Sequence, residues 1–247
     1  MVKTAVILAA GINARLNGNI SNKPKGFIEI DHQSLIERSL ETLLRNGIEK
    51  IIIGTGYLAE HYHRLSLAYQ GVVTQKNEHY RTTGSFFTLY NLKNIIQEDF
   101  LLLESDLIYE NLAIAHLQER NPADIILASG RTHSGDEVYI EADQNEMLVR
   151  MSKREDELSA VFGELVGISK ISLRTYREVC VLLEGQGDRL RSIEYEYALA
   201  KRSRTHPIKV DKIEKLVWAE IDTLDHLNRV QEIIYPKIKR LNHLQKS

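Results

Sequence analysis

Residues 4–30 read TAVILAAGINARLNGNISNKPKGFIEI, and the chain's architecture turns on how this stretch is taken. Its first five residues, TAVIL, are apolar without alternation, the pattern of a strand covered on both faces rather than one with a wet side. Three small residues follow, Ala9, Ala10 and Gly11, and then the cations Arg15, Lys23 and Lys25. Small side chains let backbone N–H groups approach a phosphate, and Arg15 and Lys25 would supply the positive charge that a departing pyrophosphate needs. A solvated loop with scattered basic residues is the plainer alternative.

Outward from this stretch, similar apolar runs recur at 50–54 (KIIIG), 71–74 (GVVT), 99–103 (DFLLL) and 124–129 (DIILAS). Helical periodicity lies between them. It is clearest at 35–46, where Ile36, Leu40, Leu43 and Leu44 share a face, Ser34 and Glu37 form a capping box and Gly47 supplies a left-handed stop. Apolar strands alternating with amphipathic helices predict an α/β fold: a Rossmann-like, mixed and mostly parallel central sheet flanked by helices.

Beyond residue 135 the runs EVYIEA, MLVRMS and GELVGIS shorten and alternate, which predicts a small antiparallel excursion carrying the second half of a cleft. Helices are expected near 173–184 and 192–203, a late strand over 213–221 and a C-terminal helix over 224–235, followed by a frayed basic tail. The four prolines fall between periodic segments, and neither a repeat nor a linker divides the 247 residues, so residues 1–247 are expected to form a single domain.

Composition narrows the function classes. Thirty-two Lys plus Arg against 34 Asp plus Glu give a net charge of −2, which offers no basic surface for a nucleic acid backbone. The first apolar run is too short to span a bilayer and is preceded only by Lys3, so neither a membrane segment nor a signal peptide is expected. The single cysteine, Cys180, lies in the apolar run VCVLL and reads as a buried thiol, which together with the missing signal predicts a cytoplasmic protein. Nine scattered histidines without an i, i+4 pair do not suggest zinc. There is no G-x-S-x-G elbow and no Walker A motif. GTGYLA at 54–59 imitates a dinucleotide-binding glycine pattern, but it stands in the second βα unit and Tyr57 would crowd a pyrophosphate there.

Two acids follow apolar strands, Asp106 after LLLES and Asp222 after LVWAEI. Ligands in open α/β sheets collect at the carboxyl ends of strands, so this pair could meet across one crevice and hold Mg²⁺ through few protein oxygens. A turn at Asp106 and a helix cap at Asp222 are the alternatives.

The ordered series of LAAG, Arg15, Pro24-Lys25, Asp106 and Asp222 resembles the nucleotidyltransferases that activate sugar phosphates and small phosphorylated alcohols. Within that superfamily GIEKIIIGTGY, TGSFFTLYNL, LLLESDLIY, SGDEVYIEAD, FGELVGI and VWAEIDTLDHL are most similar to the 2-aminoethylphosphonate cytidylyltransferases, with the phosphocholine cytidylyltransferases as cousins. One departure is that Asn13 and Ala14 precede Arg15 where the superfamily has a second glycine, and no proline follows Leu16.

The resemblance implies CTP and 2-aminoethylphosphonate as substrates, CMP-2-aminoethylphosphonate and pyrophosphate as products, Mg²⁺ as cofactor, and a monomer or homodimer. It further implies that Leu8, Ala9, Ala10, Gly11, Thr83, Gly84 and Ser85 hold the nucleoside, with Glu104 and Ser105 flanking it beside the metal. Arg15 and Lys25 would grip its phosphates, Asp106 and Asp222 the metal. Lys153 matches the residue that orients the acceptor's phosphonate, and otherwise reads as a solvated lysine.

The resemblance also implies that choline-using relatives carry an aromatic residue about where Gly135, Asp136 and Glu137 stand here; a primary ammonium needs acceptors instead, and Asp136 with Glu196 could provide them. Asp136 could equally be a turn residue, Glu196 an exposed helix acid, and Trp218 either part of a cage or core. Phosphocholine activation, a sugar 1-phosphate acceptor and a non-catalytic nucleotide sensor are the competing functions.

Overall fold

The computed structural model describes residues 1–12, 23–121, 123–187 and 191–244; the expectation placed on Arg15 lies outside the described residues. Thr4–Ala9 forms strand β1, buried at every position, as an unalternating apolar run requires. After the 3-10 turn Lys25–Phe27 come the short strands β2 (Glu29–Ile30) and β3 (Gln33–Ser34), helix α1 (Leu35–Arg45), β4 (Lys50–Thr55), α2 (Ala59–Ser66) and β5 (Val72–Lys76). Next are α3 (Ser85–Tyr90), β6 (Phe100–Glu104), β7 (Leu107–Tyr109), α4 (Leu112–Glu119), β8 (Ile125–Ser129), β9 (Tyr139–Ala142), β10 (Leu148–Ser152) and the long β11 (Gly163–Ile171). Helices α5 (Leu173–Glu184) and α6 (Tyr195–Ser203), strands β12 (Lys209–Ile213) and β13 (Trp218–Glu220), helix α7 (Leu224–Arg229), a π-helical segment Val230–Ile234 and α8 (Tyr235–Leu244) follow.

The expected mixed sheet is present. Strands β6, β1, β4 and β5 run parallel, with β5 at the sheet's edge, while β11 pairs antiparallel with β6, β8 and β9. Side chains alternate across the sheet. Val6 and Leu8 pack with Phe86, Leu89, Tyr176 and Leu199 on one face, and Ala5, Ile7 and Ala9 with Ile36, Leu40, Tyr62 and Ile114 on the other. A third cluster seats Ile234 and Ile238 against Ile108 and Ile221, packing the C-terminal helices over a separate β7–β13 ribbon.

Helix α1 begins where the capping box places it. The Glu37 N–H donates to Ser34 Oγ at 3.3 Å, and the Glu37 carboxylate accepts the Ser34 N–H at 3.0 Å. Gly47 has the expected positive φ of 82°. Ile36, Leu40 and Leu43 are fully buried, each burial contributing about 2 kcal/mol, whereas Leu44 is 38% exposed at the edge of the stripe.

Four expectations need correcting. The late strand is confined to Trp218–Glu220, and a strand at Lys209–Ile213 precedes it. In KVDKI the charges of an edge strand, which pairs along its length only with β8 and is bridged on the other side only near Lys209, mask the strand period around buried Val210. Helix α6 starts at Tyr195, not 192. The basic tail is helical through Leu244 and is held down by Ile238. Pro236 therefore sits inside a helix, in the first turn after the π segment, where its missing N–H and bulky ring are accommodated by the widened preceding turn. No helix among the described residues is long and apolar enough to cross a membrane.

Candidate active site

Parallel pairing of β1 with β6 sets Leu8 opposite Glu104, and the Ser105 N–H extends the ladder to the Leu8 carbonyl at 3.1 Å. The segments Leu8–Gly11 and Glu104–Asp106 therefore leave the sheet side by side at the carboxyl ends of their strands, where α/β sheets collect ligands. They open into a cavity of about 680 Å³. Every described residue expected in the site lines it except Asp222, which is buried: Leu8, Ala9, Ala10, Gly11, Lys25, Thr83, Gly84, Ser85, Glu104, Ser105, Asp106, Asp136, Lys153 and Glu196.

The loop carrying Thr83, Gly84 and Ser85 is fixed from both sides. The Asn77 amide donates to Thr83 Oγ1 at 2.9 Å, the Gly84 N–H to the Arg191 carbonyl at 2.7 Å and the Ser85 N–H to the Glu194 carboxylate at 2.7 Å. A Cβ at Gly84 would stand 2.5 Å from the Ile193 carbonyl oxygen, so only glycine permits this approach. The glycines of GTGYLA have similar packing reasons. A Cβ at Gly54 would meet the Thr88 methyl at 2.8 Å, and one at Gly56 the Ala10 carbonyl at 2.7 Å.

At the centre, Lys25 bridges the two expected acids. Its ammonium is 3.0 Å from Asp106 Oδ2 and hydrogen-bonds Asp222 Oδ1. Burial works to lower the Lys25 pKa, but Asp106 and Asp222 together carry it above its ordinary value, so the lysine is a permanent cation. Glu104 and Glu220 complete an acidic cluster, and Glu104, Asp106 and Glu220 can each offer a carboxylate oxygen within 4.8 Å of the others. Burial first, then the charge of Asp106, pushes both glutamates above the usual carboxylate range. Asp106 and Asp222 against one ammonium already leave surplus negative charge, beside the further hard oxygen donors of Glu104 and Glu220. That is the chemistry of a magnesium-like divalent cation, and these residues fit one.

Two further features hold Glu104. Tyr195 Oη donates to Glu104 Oε1 at 2.6 Å, which partly offsets the effect of burial. Gly167, with φ of 78° at a register shift in β11, faces the same carboxyl group, and a Cβ there would lie 3.1 Å from Glu104 Cδ.

Elsewhere in the cavity wall Lys153 donates to Asp136 at 2.8 Å, joining two residues expected to contact the acceptor. Glu196 is 7% exposed, which sets aside the alternative of a solvent-facing helix acid, and burial pushes its carboxyl up to about 7. The segment carrying Asp136 is anchored at Thr132, whose N–H donates to Glu164 at 2.8 Å and whose carbonyl accepts from Arg229. His226 ties it to the acidic cluster: Nδ1 accepts the Asp222 N–H at 3.3 Å while Nε2 lies 3.1 Å from the Ser134 carbonyl, so Nε2 carries the proton. Trp218 also lines the cavity, with its indole N–H donating to Ser129 Oγ at 2.8 Å.

Glu220, Tyr195, Gly167 and His226 escaped the sequence reading. Strand alternation through WAEID could have found Glu220, because residues 218, 220 and 222 share a face. Nothing local marks Tyr195, which meets Glu104 from 91 residues away.

The model of the MobA-like NTP transferase domain family matches residues 5–233. The choline-phosphate cytidylyltransferase of Streptococcus pneumoniae is 33% identical over 108 residues, 44% of this chain and 47% of that protein. The 2-aminoethylphosphonate cytidylyltransferase of Lancefieldella rimae is 25% identical over 162 residues, 64% of each chain. The chain thus spans between about half and just under two thirds of the length of these curated relatives. Among solved structures, the inositol-1-phosphate CTP transferase from T. maritima superposes with a TM-score of 0.79 at 22% identity, covering 96% of both chains. The CTP:phosphocholine cytidylyltransferase from Streptococcus pneumoniae gives 0.80 at 21% identity, over 94% of this chain and 99% of that one. Both superpositions establish the fold.

Proposed function

We propose, for a chain that belongs to the family of MobA-like NTP transferase domains, that it is a Mg²⁺-dependent cytidylyltransferase coupling CTP to 2-aminoethylphosphonate, with CMP-2-aminoethylphosphonate and pyrophosphate as products. The observation that carries this reading is the part of the cavity wall where a lysine paired with Asp136 stands near the buried acid Glu196. A short molecule with an anionic phosphonate at one end and a primary ammonium at the other matches that charge pattern. Similarity to a 2-aminoethylphosphonate cytidylyltransferase over 64% of the chain supports the same choice.

The reaction is an in-line displacement. A phosphonate oxygen forms a bond to the α-phosphorus of CTP, the bond from that phosphorus to the bridging oxygen breaks, and pyrophosphate leaves with the electron pair. The attacking oxygen is already ionised near neutral pH, so the protein's task is positioning and charge stabilisation rather than proton transfer. Leu8 and the small residues Ala9, Ala10 and Gly11 admit the nucleotide, with Thr83, Gly84 and Ser85 fixing its nucleoside and Glu104 and Ser105 flanking it. Lys25 meets the charge growing on the phosphates, a role that Arg15 shares. Asp106 and Asp222, with Glu104 and Glu220 beside them, would hold Mg²⁺, which would supply Lewis acidity and offset the repulsion between two anions. Lys153 orients the phosphonate, and Glu196 and Asp136 receive the ammonium.

A second reading, phosphocholine as acceptor, is favoured by the 33% identity with a choline-phosphate cytidylyltransferase and by Trp218, Tyr195 and Tyr197 in the cavity lining, since aromatic faces suit a quaternary ammonium. Pyrophosphate release from CTP and Mg²⁺, with 2-aminoethylphosphonate, phosphocholine and a sugar 1-phosphate in parallel, separates the readings. The aminophosphonate is expected to give the highest kcat/KM, and Asp106→Asn or Asp222→Asn to lower kcat at least about a hundredfold. Preference for phosphocholine would overturn the acceptor assignment, and silence with every acceptor would overturn the enzyme.

A further inference from the structure

Between β8 and β9 the chain carries Asp136 along the cavity wall, and among the described residues no backbone–backbone hydrogen bond holds positions 131–137. His133 and Gly135 both have positive φ, 53° and 93°. A non-glycine residue such as His133 keeps that conformation where the surrounding structure over-determines it.

Side chains from elsewhere do the holding. On one side the Glu164 carboxylate accepts the Thr132 N–H at 2.8 Å. On the other, Arg229 donates to the Thr132 carbonyl and His226 Nε2 stands 3.1 Å from the Ser134 carbonyl, so the residues flanking His133 are both gripped from α7. Positions 226 and 229 are three apart and share one face of that helix. The helix is itself seated, because its continuation buries Val230, Ile234 and Ile238 against Ile108 and Ile221.

His226 also reaches back to the acidic cluster. Its Nδ1 accepts the Asp222 N–H at 3.3 Å, which aims the ring and leaves the proton on Nε2 for Ser134. One imidazole therefore spans from the backbone of Asp222 to a residue two positions before Asp136, and Asp136 is tied to Lys153 at 2.8 Å.

Resting on the proposed reaction, which puts the phosphorus chemistry beside Asp106 and Asp222 and the ammonium at Asp136, we infer that His226 and Arg229 are positioning residues that set the length of the acceptor. They hold the Asp136 segment at a fixed distance from the acidic cluster. An aminoalkylphosphonate with two carbons between phosphorus and nitrogen spans that distance. A three-carbon homologue has to push the segment outward against both carbonyl bonds, and a one-carbon homologue leaves its ammonium short of the carboxylate.

The test has two arms. The first reads amide hydrogen exchange by mass spectrometry on the full chain without CTP, metal or acceptor. His226→Asn keeps an oxygen that can accept the Asp222 N–H but does not reach Ser134, and it is expected to speed exchange over 132–135 about tenfold. His226→Gln, whose amide reaches Ser134, is expected to restore most of the protection. The second arm compares kcat/KM for aminomethyl-, 2-aminoethyl- and 3-aminopropylphosphonate with CTP and Mg²⁺. The parent is expected to prefer the two-carbon acceptor by about tenfold or more, and His226→Asn and Arg229→Gln to cut that preference at least about threefold, mainly through KM. A merely structural role would lower kcat/KM for all three acceptors in the same proportion; that result, or unaltered exchange in His226→Asn, would overturn the assignment of these residues. A parent that uses no aminoalkylphosphonate would overturn the proposed acceptor and the length assignment together, and the exchange arm would still show whether α7 holds the segment.

Discussion

The Lys25 ammonium lies 3.0 Å from Asp106 Oδ2, within a cluster whose other acids are Asp222, Glu104 and Glu220. The lysine side chain is 16% exposed and that of Asp222 1%, so the pair sits where solvent screens little. Removing one partner of a buried ion pair leaves the other charge uncompensated, at a cost of about 3–5 kcal/mol. Lys25→Gln is therefore expected to lower Tm by roughly 6–15 °C at pH 8. Added Mg²⁺ should raise the variant's Tm more than that of the parent, because the cation takes over the missing positive charge. Equal Mg²⁺ shifts in calorimetric melts of the two proteins would show that Lys25 and the cation do not share one charge balance.

The parallel centre of the sheet was legible because buried strands such as TAVIL and KIIIG advertise themselves by lacking alternation, and α1 by its cap and stripe. Strand β12 was not, because an edge strand can carry Lys209, Asp211 and Lys212 and still pair through its backbone. The same division holds in the site. Asp106 and Asp222 could be read because each ends an apolar run. Tyr195, Gly167 and His226 act on groups distant in sequence, on Glu104 or between Asp222 and Ser134. Only the folded sheet brings those partners within reach, and no local pattern encodes the meeting. Asp136 and Lys153 lay between these cases: their residue types suggested an acceptor site, but their 2.8 Å ion pair is a product of tertiary structure.

Tyr195 acts through Glu104, which makes it a positioning residue. Its hydroxyl donates to Glu104 Oε1 at 2.6 Å and favours the ionised carboxylate against burial. Tyr195→Phe removes that donor without changing the ring, so the acid becomes harder to ionise and a poorer neighbour for a divalent cation. A hydrogen bond to a charged group is worth about 1.5–3 kcal/mol, so the Mg²⁺ concentration for half-maximal activity should rise about tenfold or more. A purely structural role for Tyr195 would instead lower Tm and leave the Mg²⁺ dependence where it was, a split that paired melting curves and metal titrations resolve.

Glu196 offers a pH dependence with opposite consequences for stability and for binding. Burial first, and then the charge of Glu194, push its carboxyl from an ordinary 4.5 up to about 7, while a backbone N–H and Lys153 oppose the rise. An acid raised in the folded state contributes stability through its retained proton; that contribution is complete below pH about 4.5 and is lost as pH climbs through about 7. Glu196→Gln, which keeps the shape and removes the charge, should therefore be more stable than the parent at pH 8, by about 3 kcal/mol at most, with the gain shrinking toward zero below pH 5. Binding runs the other way, since an acceptor's ammonium requires the ionised carboxylate. In the parent, KM for 2-aminoethylphosphonate should rise about tenfold between pH 8 and pH 6, as the ionised fraction falls through a pKa near 7. In Glu196→Gln it should start high and keep only the pH dependence of the acceptor's own phosphonate. Identical KM profiles in parent and variant would remove Glu196 from the ammonium site, whatever the melting curves show, because burial alone accounts for the stability effect and only contact with the substrate accounts for the change in KM.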